Sequence, residues 1–438
     1  MPQLARFDQR ERFAMGIVAR VFPFRVNRYV VEELIDWSKA PDDPMFRLLF
    51  PQREMLSDAH FERLSLAVRA GASEEVITAI AREIQLEHNP HPAGQKTLNV
   101  PLMRDGELAG VQHKYRETVL FFPTQGQTCH SYCAYCFRWP QFVGLDDMKF
   151  ASAEVDSLVG YLRSHPDVTN VLFTGGDPLV MRTKVLERYL TPLVGATLPH
   201  LSTIRIGTKS TAFWPQRFVS DEDADDLLRL FESIVAKGFH LAVMAHSSHP
   251  VELETPIAQR AIARIRATGA VVRCQAPLVR HVNDSALAWA EMWRLQAQLG
   301  AIPYYMFVER NTGPRRYFDT PLAAAYEIYR DAIARVSGLA RTARGPSMSA
   351  TPGKIAIDGT PTIHGEKVFA LRLLQAREPS WVGRPFYAKF DASATWFDEL
   401  SPAFGEARFF FDTASAVAPW ERPPLERRHL PVHPSEAA

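Results

Sequence analysis

The stretch TVLFFPTQGQTCHSYCAYCFRWP, residues 118 to 140, opens on a short apolar run and then sets Cys129, Cys133 and Cys136 within eight positions of one another. Thr118 to Phe122 is β-branched, apolar and aromatic, and it stops at Pro123, so it reads as a strand running into a loop. The same rhythm recurs downstream in NVLFT (170–174), TIRIGT (203–208), HLAVMAH (240–246), VVRCQAP (271–277) and PYYMFV (303–308). Helical patterns fill the gaps, among them DADDLLRLFESIVAKG, TPIAQRAIARIRATG and DSALAWAEMWRLQAQLG. The last two close on a Gly suited to the end of a helix. Six β-α units in sequence predict an α/β fold, a parallel sheet wrapped by helices as an open doubly wound sheet or an incomplete barrel. Both gather ligands at the C-terminal ends of the strands, which is where the cysteine loop lies.

Working outward, residues 1–110 read as mostly helical. SDAHFERLSLAVRAG and SEEVITAIAREIQLEH each begin with Ser and acids and carry apolar residues at helical spacing. Residues 111–345 hold the strand-helix series. After about Gly345 the pattern turns irregular, rich in Pro, Gly and aromatics. It predicts a small C-terminal module over 346–438, packed on the barrel and covering its mouth, with a poorly ordered tail from about residue 419.

The 438 residues carry 50 Lys plus Arg against 49 Asp plus Glu, so no basic field points to nucleic acid. There is no apolar run of the roughly 18 residues a membrane span needs, and the first residues lack a signal peptide's apolar segment. The expectation is a cytoplasmic protein. In a reducing compartment, clustered thiols bind metal more often than they form disulfides.

The spacing C-x3-C-x2-C suits three irons of a 4Fe–4S cluster, leaving the fourth iron without a protein ligand and open to chemistry. The alternative is a closed zinc site completed by Cys274 or His130, which would make the chain a non-enzymatic binding module. Cys274 lies within the fifth strand candidate and reads as a buried thiol. The second strand ends in FTGGDP, where Gly175 and Gly176 permit close backbone approach and Asp177 can accept from an ammonium group.

With Tyr135 before its last Cys, the cysteine motif resembles that of the radical S-adenosylmethionine (radical SAM) superfamily. That resemblance implies a partial (β/α)6 barrel and a 5′-deoxyadenosyl radical made from S-adenosylmethionine. It also implies that Gly175, Gly176 and Asp177 hold the methionyl end. A narrower resemblance runs from about residue 25 to at least 365. DDPMFRLLFPQ, HKYRETVLF, RIGTKSTAFWPQRF, AHSSHPVELE, VRHVND and PYYMF, with FDTP downstream, are similar in order and spacing to the lysine 2,3-aminomutase family. By that resemblance His246 and Gln275 contact S-adenosylmethionine, and Arg138 grips the substrate α-carboxylate. Lys354, in SATPGKIAIDG, holds pyridoxal 5′-phosphate (PLP) as a Schiff base, with Tyr115 at the same site.

The implied reaction moves an amino group from C2 to C3 of a small amino acid, in an isomerase fed by an electron donor such as a flavodoxin or ferredoxin. The family resemblance also suggests a homo-oligomer. The alternatives within the family are an enzyme without PLP or one acting on a protein-bound lysine.

This sequence departs from the family in three places. A single Gly353 stands between Pro352 and Lys354 where the family has several glycines, and Thr118 stands where it has an Arg. Arg310 and Ala350 match the positions of the two aspartates that bind the side-chain ammonium in lysine-specific members, and a one-residue shift to Glu309 would restore one acid but not both. An Arg there favours a substrate with a second carboxylate, as in the glutamate-type aminomutases of the family. The bland reading leaves Arg310, Arg315 and Arg316 as a solvated loop cluster.

Overall fold

The computed structural model describes residues 1–89, 99–103, 106–144 and 150–412; the tail expected from about 419 lies outside them. Twelve strands form one sheet: β1 Val111–Tyr115, β2 Thr118–Phe121, β3 Asn170–Phe173, β4 Thr203–Thr208, β5 His240–His246, β6 Val271–Leu278, β7 Ile302–Val308, β8 Arg344–Ser349, β9 Gly353–Gly359, β10 Thr362–Ile363, β11 Glu366–Ala376 and β12 Pro385–Lys389. From β1 to β9 they lie side by side in chain order; β11 then pairs with β9 and carries β10 and β12. Strands β2 to β8 are parallel. The six parallel strands read from sequence are therefore β2 to β7, each within a residue or two of its expected bounds. The sheet curls until Lys114 Nζ on β1 donates to Ala350 O, between β8 and β9. The architecture is a partial, parallel-rich barrel.

The strands alternate because their two faces meet different surroundings. On β2, β3 and β4 one row, Val119, Phe121, Val171, Phe173, Ile204 and Ile206, is buried in the core beneath the helices. The opposite row, Thr118, Leu120, Leu172, Arg205 and Gly207, lines the barrel interior. Each large apolar side chain in the outer row contributes about 1.5–3 kcal/mol of burial, and a one-residue slip would turn the whole row inward. Helices α1 Gln9–Val18, α2 Pro44–Leu49, α3 Asp58–Arg69, α4 Glu74–Glu87, α5 Val155–Ser164, α6 Thr183–Gly195, α7 Ala224–Ala236, α8 Pro256–Ala267, α9 Ala286–Gln298 and α10 Leu322–Ala334 complete the fold. Thr255 caps α8 and Ser57 caps α3, each accepting from a backbone N–H two or three residues into its helix. Ser73 stands at the start of α4 without a capping bond. Gly269 and Gly300 take the positive φ expected just past α8 and α9.

The N-terminal helices form a second apolar core that includes Tyr135, Trp139, Phe213 and Phe318. This core supports the cysteine loop from outside. Ala134 N donates to Leu48 O at 2.8 Å, Tyr132 N to Arg25 O at 2.8 Å, and Asn27 N to Ser131 Oγ at 3.0 Å. The segment past residue 345 was expected to be irregular and to cover the mouth. It is strand-rich rather than irregular, joins the sheet at its edge through β8 to β12, and forms part of the interior wall. Its Pro and Gly residues sit at strand ends and bulges, where they do not interrupt pairing.

Candidate active site

The barrel encloses a cavity of about 360 Å³. It is lined by Cys129, Cys133 and Cys136 from the loop after β2, and by Gly175, Gly176 and Asp177 from the loop after β3. His246 ends β5, Gln275 lies on β6, Lys354 is on β9, and Tyr115, Arg138 and Arg310 complete the wall. All the site residues singled out in the sequence thus face one space. Arg316, of the expected surface cluster, is exposed, and Arg315 pairs with Glu399. Arg116 is also turned away, paired with its neighbour Glu117.

Burial pushes all three loop thiols up, Cys133 to about 12. Among the described residues no three His, Cys, Asp or Glu form a group that could hold one ion. Cys274 lies within the sheet core, behind the cavity wall. His130 Nε2 is buried without a hydrogen-bond partner, and its ring stacks on Trp214. Neither joins the thiols in the tetrahedron a zinc site would need.

The backbone after β3 lies tight against the cysteine loop. A Cβ on Gly176 would strike the backbone of Thr128, and Gly175 has φ near +139° with the Gln127 side chain against it. Asp177 is almost wholly engaged by the protein. Its carboxylate accepts from Leu179 N at 2.9 Å, Thr208 Oγ1 at 2.8 Å, Lys209 N at 2.8 Å and Ser210 Oγ at 3.0 Å. Its first task is therefore to fasten the β3 loop to the end of β4. At the ends of β5 and β6 the Gln275 amide donates to His246 Nε2 at 2.9 Å. Burial, with the Lys209 ammonium nearby, holds His246 down at about 3, so the ring is neutral and can accept.

Lys354 is the second residue of β9, paired with Ser349 and Gln375. One glycine before it suffices because a strand, not a long loop, aims it inward. A Cβ on Gly353 would meet the backbone of Gln375, so the close pairing itself demands glycine. Lys354 Nζ stands 4.1 Å from the centre of the Tyr305 ring and has no ion-pair partner among the described residues. Burial, then the guanidiniums of Arg205, Arg344 and Arg310, bring its amine down to about 7. An amine in a half-buried side chain that is held this way is poised as a nucleophile.

Three further polar atoms lining this space are buried with no partner: Tyr115 OH, Arg205 Nε and Arg310 Nη1. Such donors are costly unless an acceptor arrives, so the empty geometry fits an anionic ligand near Lys354. Arg138 is buried, with its guanidinium 4.3 Å from the centre of Phe122, and burial lowers it to about 9.

Lys114, Arg205 and Lys209 also line the cavity and were not singled out as site residues from sequence, and Glu309, the neighbour of Arg310, lines it too. A charged residue midway along a strand whose sheet is covered on both faces is the signal that could have found Arg205. Both oxygens of Glu309 lack partners, and burial pushes its carboxyl well above the usual range, which favours the protonated form.

No family model matches the chain. A protein of Aquifex aeolicus (strain VF5), provisionally named L-lysine 2,3-aminomutase, is 31% identical over 403 residues, covering 92% of this chain and 94% of that one. The chain belongs to the lysine 2,3-aminomutase family. That membership places it among enzymes. Within the family, the L-lysine 2,3-aminomutase of Escherichia coli (strain K12) is 23% identical over 81% of this chain and 90% of its own. That of Clostridium subterminale is 27% identical over 53% of each. Among solved structures, a radical SAM methyltransferase from Sphaerobacter thermophilus overlays with a TM-score of 0.39 at 14% identity, covering 66% of this chain and 94% of that one. Streptococcus suis SuiB bound to S-adenosylmethionine overlays at 0.34 and 13% identity, covering 62% and 56%. Overlays this loose carry no weight for the site. No helix among the described residues is long and apolar enough to cross a membrane.

Proposed function

We propose that this enzyme is a radical SAM, PLP-dependent aminomutase that moves an amino group from C2 to C3 of a small amino acid. One observation carries the reading: three loop thiols and a half-buried lysine with no ion-pair partner among the described residues open on the same cavity. When bound, the cluster with S-adenosylmethionine supplies a hydrogen-abstracting radical, and PLP supplies the imine through which nitrogen migrates.

The chain's own residues divide the remaining work. Cys129, Cys133 and Cys136 hold the cluster, and the tight Gly175–Gly176 backbone, His246 and Gln275 form the walls for S-adenosylmethionine. Lys354 offers an amine that is half unprotonated near neutral pH. Tyr115 OH and Arg205 Nε supply unpaired donors suited to a phosphate. Arg138 takes the substrate α-carboxylate in a planar, two-pronged contact. The N-terminal helices, with Trp139 and Tyr135 in their core, shield the cysteine loop from water.

Arg310 supports a finer reading of the substrate. Its guanidinium lies against Phe137, 4.6 Å from the ring centre, and Nη1 has no partner. The cavity acids offset it little: Asp177 is engaged by the protein, and burial of Glu309 favours its protonated form. A side-chain carboxylate would satisfy Arg310, whereas a side-chain ammonium would add a cation to an already cationic wall.

An anaerobic absorption spectrum of cluster-reconstituted protein with added PLP tests the reading when repeated for Lys354→Ala. The expected result is a broad iron–sulfur band in both and an imine band in the wild type alone. An iron–sulfur band without any Lys354-dependent imine would remove PLP and amino migration with it.

A further inference from the structure

Three stretches of polar sequence, GTKS (207–210), HSSHPVE (246–252) and RHVND (280–284), hold polar groups outside the roles assigned above. In the fold they meet in one buried network. Lys209 Nζ forms an ion pair with Glu252 Oε1 at 2.7 Å; the Glu252 side chain is fully buried and that of Lys209 is 12% exposed. The same ammonium donates to Ser248 Oγ at 3.1 Å, and Ser248 Oγ is 3.1 Å from the hydroxyl of Tyr135, which lies between Cys133 and Cys136. Glu252 Oε2 accepts from Ser248 N and, at 3.3 Å, from His249 N. Asn283 Nδ2 donates to Ser248 O at 2.9 Å, and Asn283 Oδ1 accepts from Val279 N at 2.7 Å, which ties the turn to the end of β6.

A buried ion pair is a weak stability device, because desolvating both charges offsets most of their attraction. Here the geometry gives the pair another use. Lys209 lines the cavity beside the cysteines. Its ammonium reaches the loop through Ser248 Oγ, which meets the hydroxyl of Tyr135 between Cys133 and Cys136. Glu252, which holds Lys209 by an ion pair, carries the opposite charge and sits directly behind it.

We infer that Lys209, fixed by Glu252 and Ser248, is a positioning residue that sets the charge around the Cys133 side of the iron–sulfur cluster and so raises its reduction potential. The inference rests on the cluster reading given above. Reduction adds one electron to the cluster and breaks no bond. A fixed positive charge nearby favours that more negative state, and a fixed negative charge opposes it. Lys209 and Glu252 therefore work against each other, and their balance is the setting.

The test is a redox titration of reconstituted protein, followed by the electron paramagnetic resonance signal of the reduced cluster. It is run without S-adenosylmethionine, so that contact between Lys209 and that ligand does not enter. Lys209→Met is expected to disfavour reduction about tenfold or more, which is about 59 mV for one electron. Glu252→Gln is expected to shift the potential the opposite way, and Lys209→Arg, which keeps the charge, to stay near the wild type. A purely structural staple would move all three variants in one direction or none. Potentials that agree across the variants, or fall together, would overturn the inference while leaving the cluster in place. A wild type that loads no cluster would instead overturn the reading beneath it.

Discussion

Lys354→Met should make the cofactor-free protein more stable, by an amount that depends on pH. Burial, with Arg205, Arg344 and Arg310 nearby, brings the Lys354 amine from its ordinary 10.5 to about 7. At 1.36 kcal/mol per pH unit, the folded protein bears a cost of about 5 kcal/mol whenever that amine is protonated in both states. This is an upper bound, because the amine keeps some contact with the cavity. The unfolded chain holds the proton up to 10.5, so between about 7 and 10.5 it binds more protons than the fold. Wild-type stability therefore rises with pH across that window. Below it the full cost is present; above it the cost is gone. Methionine keeps the stem that covers Tyr305 and removes the charge. Denaturation midpoints of the two proteins, measured at about pH 6 and about pH 10, should show a large gain for the variant at the lower pH and little at the higher. Equal gains at both values, or none, would refute the argument that an unpaired amine is held in this cavity.

Two further substitutions separate roles that the geometry assigns. Asp177→Asn leaves Lys209 N and Ser210 Oγ facing an amide, and should cost about 2–4 kcal/mol in a denaturation series while weakening S-adenosylmethionine binding through the displaced glycine backbone. Arg138→Lys keeps the charge and loses the planar fork. It should raise KM for the amino acid about tenfold or more and affect kcat less, as steady-state kinetics would show.

The parallel part of the fold was legible because strands β2 to β7 carry a plain alternation with helical patterns between them. The cysteine loop stood out by its spacing together with its place after the first strand of the series, and the fold sets it at the end of that strand, on the cavity. Strands β8, β9 and β11 were not, because Pro346, Pro352 and Gly353 are turn and breaker signals in a linear reading, and only pairing shows that they sit where the ladder tolerates them. The charged wall was hidden for a related reason. Arg205 on a strand and Lys209 just past it read as solvent-facing until the sheet curls and turns that face inward. The saturation of Asp177 depends on Thr208, Lys209 and Ser210, more than thirty residues downstream at the end of another strand. A local motif cannot display such a contact.

The central claim is that one cavity joins the cluster loop to Lys354 for amino migration. Its most direct test is anaerobic turnover of the cluster-loaded, PLP-supplied protein with S-adenosylmethionine and a chemical reductant, over glutamate, aspartate and lysine, with products resolved by mass and magnetic resonance. The account predicts a 3-amino isomer of unchanged mass, formed from an acidic amino acid in preference to lysine and abolished by Lys354→Ala. An isomer that forms equally well in Lys354→Ala, or 5′-deoxyadenosine released with no isomer from any of the three, would contradict it.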